Sequence, residues 1–165
     1  MVDIMKSLEY ALQTEMDGIE FYLAKAEANK ENALHKVFVM IAKDELRHAA
    51  ILRRMMQGNL DSIPQNEALA SIKSIFSDTE GILEHYVSSS DQLEVYRLAR
   101  EIEKRGIDLY HQFASDSQNE TEHAVFRYLM EQEKGHYDLF DELVKRVARP
   151  EEWVEAAEFG PRDEY

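Results

Sequence analysis

The sequence predicts an all-α protein in which two helical hairpins form a four-helix bundle. Its 165 residues include only three prolines and six glycines, and long unbroken stretches are rich in Glu, Leu, Ala and Lys, which favour helices over strands. In four long segments the apolar residues recur at intervals of three and four, the period of an amphipathic helix. The length is typical of one domain, which we expect to span residues 1–148.

Each predicted helix begins and ends at a polar joint or a helix-breaking residue. The helices cover residues 3–28, 32–57, 91–115 and 120–148, with Gly58 predicted to end the second and Pro150 the fourth. Because the joints at 29–32 and 115–119 are short, the first two helices and the last two should each form an antiparallel hairpin. Residues 59–90 form a long crossover with a small helix predicted at 69–76, and residues 149–165 form a C-terminal tail.

The charge and the missing cysteines exclude several classes of function. The 19 Lys and Arg against 33 Asp and Glu give a formal net charge of -14. Such a chain repels phosphate backbones and anionic lipid surfaces, so neither nucleic acid nor a membrane is an expected partner. The absence of Cys removes disulfides, thiolate metal sites and Cys nucleophiles, and leaves oxygen and nitrogen as metal ligands. No apolar leader segment or membrane span is visible, so we expect a cytoplasmic protein.

An internal repeat relates the two hairpins. A shift of 88 positions aligns them without a gap, and places Glu15, Tyr22, Glu45 and His48 on Glu103, Tyr110, Glu133 and His136. Chance spacing of common residues rarely matches so many positions at one offset. The bundle is therefore predicted to have pseudo-twofold symmetry.

The repeated glutamates and histidines lie on the apolar faces of their helices. Glu45 and His48, in the stretch DELRHAA, are three residues apart and share the face that carries Ile41 and Leu52. Glu15 and Glu45 are each about 15 residues, on the order of 22 Å, from the first joint, and their counterparts are equally far from the second. Symmetric packing of the hairpins therefore brings four glutamates and two histidines to one level inside the bundle.

Buried carboxylates at this level require compensating positive charge. An ionised group in an apolar interior costs several kcal/mol even after relaxation, and two divalent cations would balance four glutamates. One Glu plus a Glu-x-x-His motif from each half is the ligand set of di-iron and di-manganese bundles. Carboxylate and imidazole suit iron or manganese, and zinc is chemically tolerable. The alternative is a polar belt satisfied by internal salt bridges, but the matching stripe positions contain no Lys or Arg.

The ligand set and one sequence motif resemble the rubrerythrin branch of the ferritin-like superfamily. The motif is GIEFY at 18–22 with its echo GIDLY at 106–110, and the resemblance covers residues 3–148. It implies that two irons are bound by Glu15, Glu45, His48, Glu103, Glu133 and His136. It also implies hydrogen bonds from Tyr22 and Tyr110 to ligand carboxylates. The implied activity is reduction of hydrogen peroxide, or reaction with dioxygen, at a binuclear iron centre, as protection against oxidative stress.

The sequence departs from the rubrerythrin pattern in two places. Full-length rubrerythrins carry a rubredoxin-like domain whose cysteines hold an electron-donating iron, whereas these residues contain no Cys. The electrons would then come from an external donor such as a rubredoxin-like protein. Rubrerythrins also carry an additional glutamate one turn after the third-helix ligand, and here that position is Gly106. The family often forms dimers, sometimes with exchanged hairpins, so a homodimer is expected.

Two other functions are consistent with the same residues. A ferritin-like iron-handling protein, acting as a ferroxidase, would oxidise and store many irons per chain inside a hollow shell. A non-catalytic bundle would hold a structural metal such as zinc, would be inert to oxidants and would melt when the metal is chelated. The leading hypothesis is a di-iron oxidoreductase of rubrerythrin type, a peroxidase or an oxidase.

Overall fold

The structure, a computed structural model, describes the chain in three stretches. These are residues 4–31, 34–60 and 90–158, with side chains described in 4–31, 34–60 and 91–148. Four helices make up these stretches, in the order α1 (Ile4–Ala28), α2 (Leu34–Met56), α3 (Ser90–Asp116) and α4 (Glu120–Glu158). No strand occurs among the described residues, which confirms the predicted all-α class. None of the described helices combines the length and the apolar character needed to cross a membrane.

The fourth helix is longer than predicted. It continues through Pro150 to Glu158, so the predicted stop before Pro150 is wrong. A proline inside a helix removes one N–H donor and costs about 3 kcal/mol. The residues that follow it, EEWVEAAE, are mostly Glu and Ala, which favour helix and offset part of that cost. Residues 149–158 of the predicted tail are therefore helical, and residues 159–165 lie outside the described residues.

The second helix ends where Gly58 predicts. Gly58 has a φ of 68°, a left-handed conformation that glycine adopts at little steric cost. Its N–H donates to the carbonyl of Met55 at 3.1 Å, and the N–H of Asn59 donates to the carbonyl of Arg54 at 2.9 Å. This pair of hydrogen bonds is a Schellman motif, which satisfies the last carbonyls of a helix. Residues 61–89, including the small helix predicted at 69–76, lie outside the described part of the chain.

The helices pack as two hairpins, α1 along α2 and α3 along α4.

A histidine fixes the joint of each hairpin. Nδ1 of His35 donates to the carbonyl of Ala26 at 2.9 Å, and Nδ1 of His123 donates to the carbonyl of Ala114 at 2.9 Å. Because a carbonyl only accepts, Nδ1 carries the proton in both rings. The two histidines thus have the same structural role at equivalent positions of the repeat.

Two apolar clusters fill the bundle at opposite ends. The first combines residues beside the first joint with residues from the open end of the second hairpin, among them Ala26, Leu34, Leu93 and Val147. The second combines residues from the open end of the first hairpin with residues beside the second joint, and includes Leu8, Leu52, Ala114 and Val125. The two joints therefore lie at opposite ends of the bundle, the arrangement that a twofold axis across the bundle produces. Along α1, Glu15 falls between Ala11 of the second cluster and Tyr22 of the first, so the repeated polar residues occupy the layer between the clusters.

Candidate metal centre

The structure brings all six predicted ligands together in one buried layer. One ligand comes from α1 and one from α3, and a Glu-x-x-His pair comes from each of α2 and α4: Glu15, Glu45, His48, Glu103, Glu133 and His136. None of the six has more than 4% of its surface exposed. Each Glu-x-x-His pair shares one helix face, since three residues are nearly one turn. The side chains therefore lie at the height along the bundle that their equal distances from the joints predicted.

The six residues form two overlapping groups. One group is Glu15, Glu45, His48 and Glu133, the other is Glu45, Glu103, Glu133 and His136, and in each group one ligand atom of every member lies within 4.8 Å of the others. Glu45 and Glu133 belong to both groups. Because a carboxylate has two oxygens, each of these two residues can bind one cation through each oxygen. The arrangement therefore suits two neighbouring cations that share two bridging carboxylates.

The histidines present the same ring nitrogen to the bridging carboxylates. Nδ1 of His48 lies 3.3 Å from Oε2 of Glu45 and 3.0 Å from Oε1 of Glu133. Nδ1 of His136 lies 3.2 Å from Oε1 of Glu45 and 3.6 Å from Oε2 of Glu133. Each bridging glutamate thus directs one oxygen toward each histidine. The imidazole rings stack with their centroids 5.7 Å apart.

Two buried tyrosines hold the other two glutamates. The Tyr22 hydroxyl on α1 donates to Oε1 of Glu103 on α3, and the Tyr110 hydroxyl on α3 donates to Oε1 of Glu15 on α1. Each tyrosine therefore reaches from one hairpin to the glutamate of the other. The remaining oxygens face the histidines, with Oε2 of Glu15 3.5 Å from Nδ1 of His48. The tyrosines thereby orient one oxygen of each glutamate and leave the second directed into the layer.

Asp44 is a buried contact of the centre that the sequence analysis missed. Its Oδ2 lies 3.1 Å from Nε2 of His136, and its Oδ1 pairs with the guanidinium of Arg47. Because a carboxylate only accepts here, Nε2 of His136 carries a proton and Nδ1 is the nitrogen left for a cation. The sequence contained one signal: Asp44 directly precedes Glu45, and its counterpart in the repeat is the uncharged Gln132. Only one half of the repeat therefore has a carboxylate at this position.

We expect Asp44→Asn to weaken metal binding at the half of the centre that contains His136. Loss of a carboxylate partner of a metal-binding imidazole typically lowers affinity by about 10- to 100-fold. Anaerobic titration with ferrous iron should therefore show one ion bound as in the parent and one bound more weakly. Asp138→Asn, on an exposed position of α4, makes the same chemical change away from the centre and should leave both affinities unchanged. Equal affinities in the parent and Asp44→Asn would show that Asp44 does not tune His136.

Protons neutralise part of the glutamate layer when no metal is bound. Burial, reinforced by the charge of Glu45, raises the pKa of Glu15 well above its usual range. Burial likewise raises the pKa of Glu103. For Glu45 and Glu133 burial also acts to raise the pKa, but the neighbouring groups that favour ionisation outweigh it and the pKa of both is lowered. Burial therefore favours the protonated form of the two outer glutamates, while the neighbours of the two shared ones favour the carboxylate.

The histidines complete this balance of charge. Burial acts to lower the pKa of His48, but the Glu133 and Glu15 carboxylates raise it well above its usual value. Burial opposes protonation of His136 in the same way, and Glu103 is the main group that raises its pKa. The raised pKa values of the two outer glutamates and the two imidazoles therefore favour bound protons that offset the charge of the shared carboxylates. Binding of two divalent cations would displace these protons, so metal affinity should increase with pH.

The donor atoms fit a pair of divalent transition-metal ions. Nδ1 of His48 and Oε1 of Glu133 are buried 3.0 Å apart, at ion-pair distance but without the alignment of a hydrogen bond. Once Nδ1 has lost its proton, both atoms offer lone pairs to one cation. Imidazole and carboxylate ligands suit iron or manganese, and also accept zinc. The residues present therefore fit a di-metal centre.

Two glycines allow the bridging glutamates to approach the neighbouring helices closely. A Cβ added at Gly106 on α3 would lie 3.2 Å from Cγ of Glu133, whereas a Cβ added at Gly18 on α1 would lie 3.7 Å from Cγ of Glu45. The first distance requires Glu133 to move, and the second is ordinary van der Waals contact. The sequence analysis noted both glycines in the repeat but missed this close approach. Gly106 is therefore the position at which any side chain would disturb a bridging ligand.

We expect Gly106→Ala to weaken metal binding and Gly18→Ala to leave it unchanged. The added methyl group at 106 displaces Glu133, while the one at 18 fits beside Glu45. Gly18→Ala should also raise the free energy of unfolding by up to about 1 kcal/mol, because alanine favours helix over glycine. Ferrous titration and thermal melting of both variants measure the two effects. Equal metal affinity in the two variants would contradict the different spacing at the two glycines.

Comparison with known proteins places the site within one family. The model of the family described as Rubrerythrin matches residues 6–144. This range contains all six predicted ligands and both tyrosines. The match confirms the predicted resemblance and the ferritin-like di-iron carboxylate fold of the bundle. No curated protein and no solved structure matches the chain.

Proposed function

We propose that this chain, which belongs to the rubrerythrin family of ferritin-like di-iron carboxylate proteins, reduces hydrogen peroxide or dioxygen at two irons held by its six buried ligands. The observation that carries the proposal is the pair of ligand groups that share Glu45 and Glu133. Shared carboxylates hold two cations side by side, where both can act on one small substrate. Two one-electron metals in this arrangement match a two-electron reduction.

The bound metals would supply the electrons, and the residues of the chain would hold the metals in position. Two ferrous ions would provide the two electrons that, with two protons, convert one hydrogen peroxide into two waters while both irons become ferric. Glu45 and Glu133 would bridge the ions, and the Tyr22 and Tyr110 hydroxyls hold the outer glutamates in place. The apolar clusters on both sides of the layer would exclude water at the two ends of the bundle.

We propose that an external donor supplies the electrons that restore the ferrous state. The 165 residues contain no Cys with which to hold an iron-sulfur or rubredoxin-type centre. A rubredoxin-like protein is the donor we propose, and a basic surface on it would be attracted to a chain of net charge -14. We further propose a cytoplasmic homodimer, with protection against peroxide as its role.

A ferroxidase role is the second candidate, and Gly106 is the observation that favours it. Rubrerythrins carry an additional glutamate at this position, whereas here even a Cβ would lie 3.2 Å from Glu133. Without that carboxylate the centre has six ligand residues and resembles a simpler site at which iron itself is the substrate. In that case dioxygen would oxidise ferrous iron, and the oxidised iron would move on to storage or to another protein.

An anaerobic ferrous titration followed by oxidant tests the proposal against its rivals. The metal-free protein should bind two irons per chain, and hydrogen peroxide should oxidise them faster than dioxygen does. Faster reaction with dioxygen, accompanied by uptake of further iron, would favour the ferroxidase role. Two bound metals that react with neither oxidant would indicate a structural metal site. Fewer than two irons per chain would contradict the di-iron proposal.

A further inference from the structure

A surface groove lies between α1 and α3, directly outside the metal layer. It has a volume of about 510 Å³, and Thr14, Gly18 and Ile102 are among the residues that line it. Thr14 and Ile102 occupy equivalent positions of the 88-residue repeat, so they face each other across the pseudo-twofold axis. Both are partly exposed. The groove is therefore centred on the line where the two hairpins meet.

A small cavity lies beside this groove, against the predicted metal ligands. It has a volume of about 20 Å³, and Thr14, Gly18 and Ile102 line it together with Gly106 and all four of the ligand glutamates. Three residues thus line both spaces, and they lie between solvent and the centre. The contacts between α1 and α3 are few compared with those within each hairpin. This side of the layer is consequently less tightly closed than the ends, where the apolar clusters pack.

The size of the cavity limits what can pass. A space needs about 10–15 Å³ to hold one water molecule, so about 20 Å³ accommodates a molecule of one or two heavy atoms. Hydrogen peroxide, dioxygen and water have this size. An alkyl hydroperoxide with a tertiary butyl group does not. The glycines at 18 and 106 keep the passage open because neither places a side chain in it.

We propose that small neutral oxidants reach the metal centre between Thr14 and Ile102, and that the Ile102 side chain sets the upper limit on their size. The proposal deepens the function proposed above and depends on it only for the identity of the oxidant. Ile102 is in this view a residue that determines specificity, since it lines the passage but is not one of the ligands. Its repeat counterpart Thr14 forms the opposite wall.

The test measures access separately from turnover. Anaerobic, iron-loaded protein is mixed with nitric oxide, a neutral two-atom probe, and its association with the centre is followed by absorbance. Ile102→Trp should fill the passage and slow association by about tenfold or more, which corresponds to about 1.4 kcal/mol in the barrier. Leu98→Trp is the matched control, because Leu98 lies one turn earlier on α3, is 50% exposed and lines neither space. Both variants are compared at equal iron content.

A second variant tests the size limit. Ile102→Ala should increase the rate with tert-butyl hydroperoxide relative to the rate with hydrogen peroxide, while Leu98→Ala leaves that ratio unchanged. If Ile102→Trp binds nitric oxide as fast as the parent, the access route is wrong, whatever the oxidant reactions show. If the parent binds nitric oxide through this route but consumes no peroxide, the proposed function fails and the route stands.

Discussion

Glu45→Ala is expected to abolish the binding of both metal ions, whereas Glu15→Ala is expected to lose one. Glu45 belongs to both ligand groups, and Glu15 belongs to one. Removal of Glu45 therefore deprives each cation of a ligand and leaves His48 and His136 without one of the two carboxylates that they share. Loss of a residue that only supports a ligand lowers metal affinity by up to about 100-fold. Because Glu45 is itself a predicted ligand, we expect the affinity for each ion to fall by more than that.

The helices should survive this change, so the loss can be attributed to the site. Alanine favours helix at least as well as glutamate, and circular dichroism should show unchanged helix content in Glu45→Ala. Metal content after anaerobic loading and removal of free iron gives the number of ions retained. Glu133→Ala should repeat the result of Glu45→Ala, and Glu103→Ala that of Glu15→Ala. Retention of one ion in all four variants would mean that no glutamate bridges two ions.

The positions of the six predicted ligands could be derived from the sequence because they depend on spacing along single helices. The repeat aligned the hairpins, and equal distances from the joints placed Glu15 and Glu45 at one level. Four buried carboxylates then required compensating positive charge, and a pair of cations was the compensation that we predicted. The hydrogen bonds of Tyr22 and Tyr110 were expected from the resemblance to the rubrerythrin family and not from spacing, and the structure places both hydroxyls on carboxylates of the layer.

Features that depend on contact between hairpins could not be predicted from spacing. Asp44 meets His136 across 92 positions of sequence, and only the relative rotation of α2 and α4 decides whether that contact forms. The difference between Gly106 and Gly18 is 3.2 Å against 3.7 Å to a glutamate Cγ, which is finer than any periodicity can resolve. At Pro150 a local signal misled the prediction. Proline predicted a helix end, but the helix-forming residues after it outweigh that signal and the helix continues.

Metal loading is expected to raise the melting temperature of the protein by about 10–20 °C. A ligand that binds only the folded state at 100 times its Kd stabilises by about 2.7 kcal/mol per site, so two ions contribute about 5 kcal/mol. For a chain of this size each kcal/mol shifts the melting temperature by about 2–4 °C. In the metal-free layer the pKa values of Glu15, Glu103 and both histidines are raised, so bound protons offset part of the negative charge. Cations would replace these protons, and the buried Nδ1 of His48 would become a ligand.

Calorimetric scans of metal-free, iron-loaded, manganese-loaded and zinc-loaded protein measure this effect, with Glu45→Ala as the control that should show no shift. The dependence on pH separates metal binding from general stabilisation by salt. Because loading displaces protons from groups whose pKa is raised in the metal-free layer, the shift should increase from pH 6 to pH 8. Non-specific screening by added salt would act on the exposed charges and would show no such trend. If the parent and Glu45→Ala melt at temperatures that metal does not change, the layer is a belt of internal salt bridges and not a metal centre.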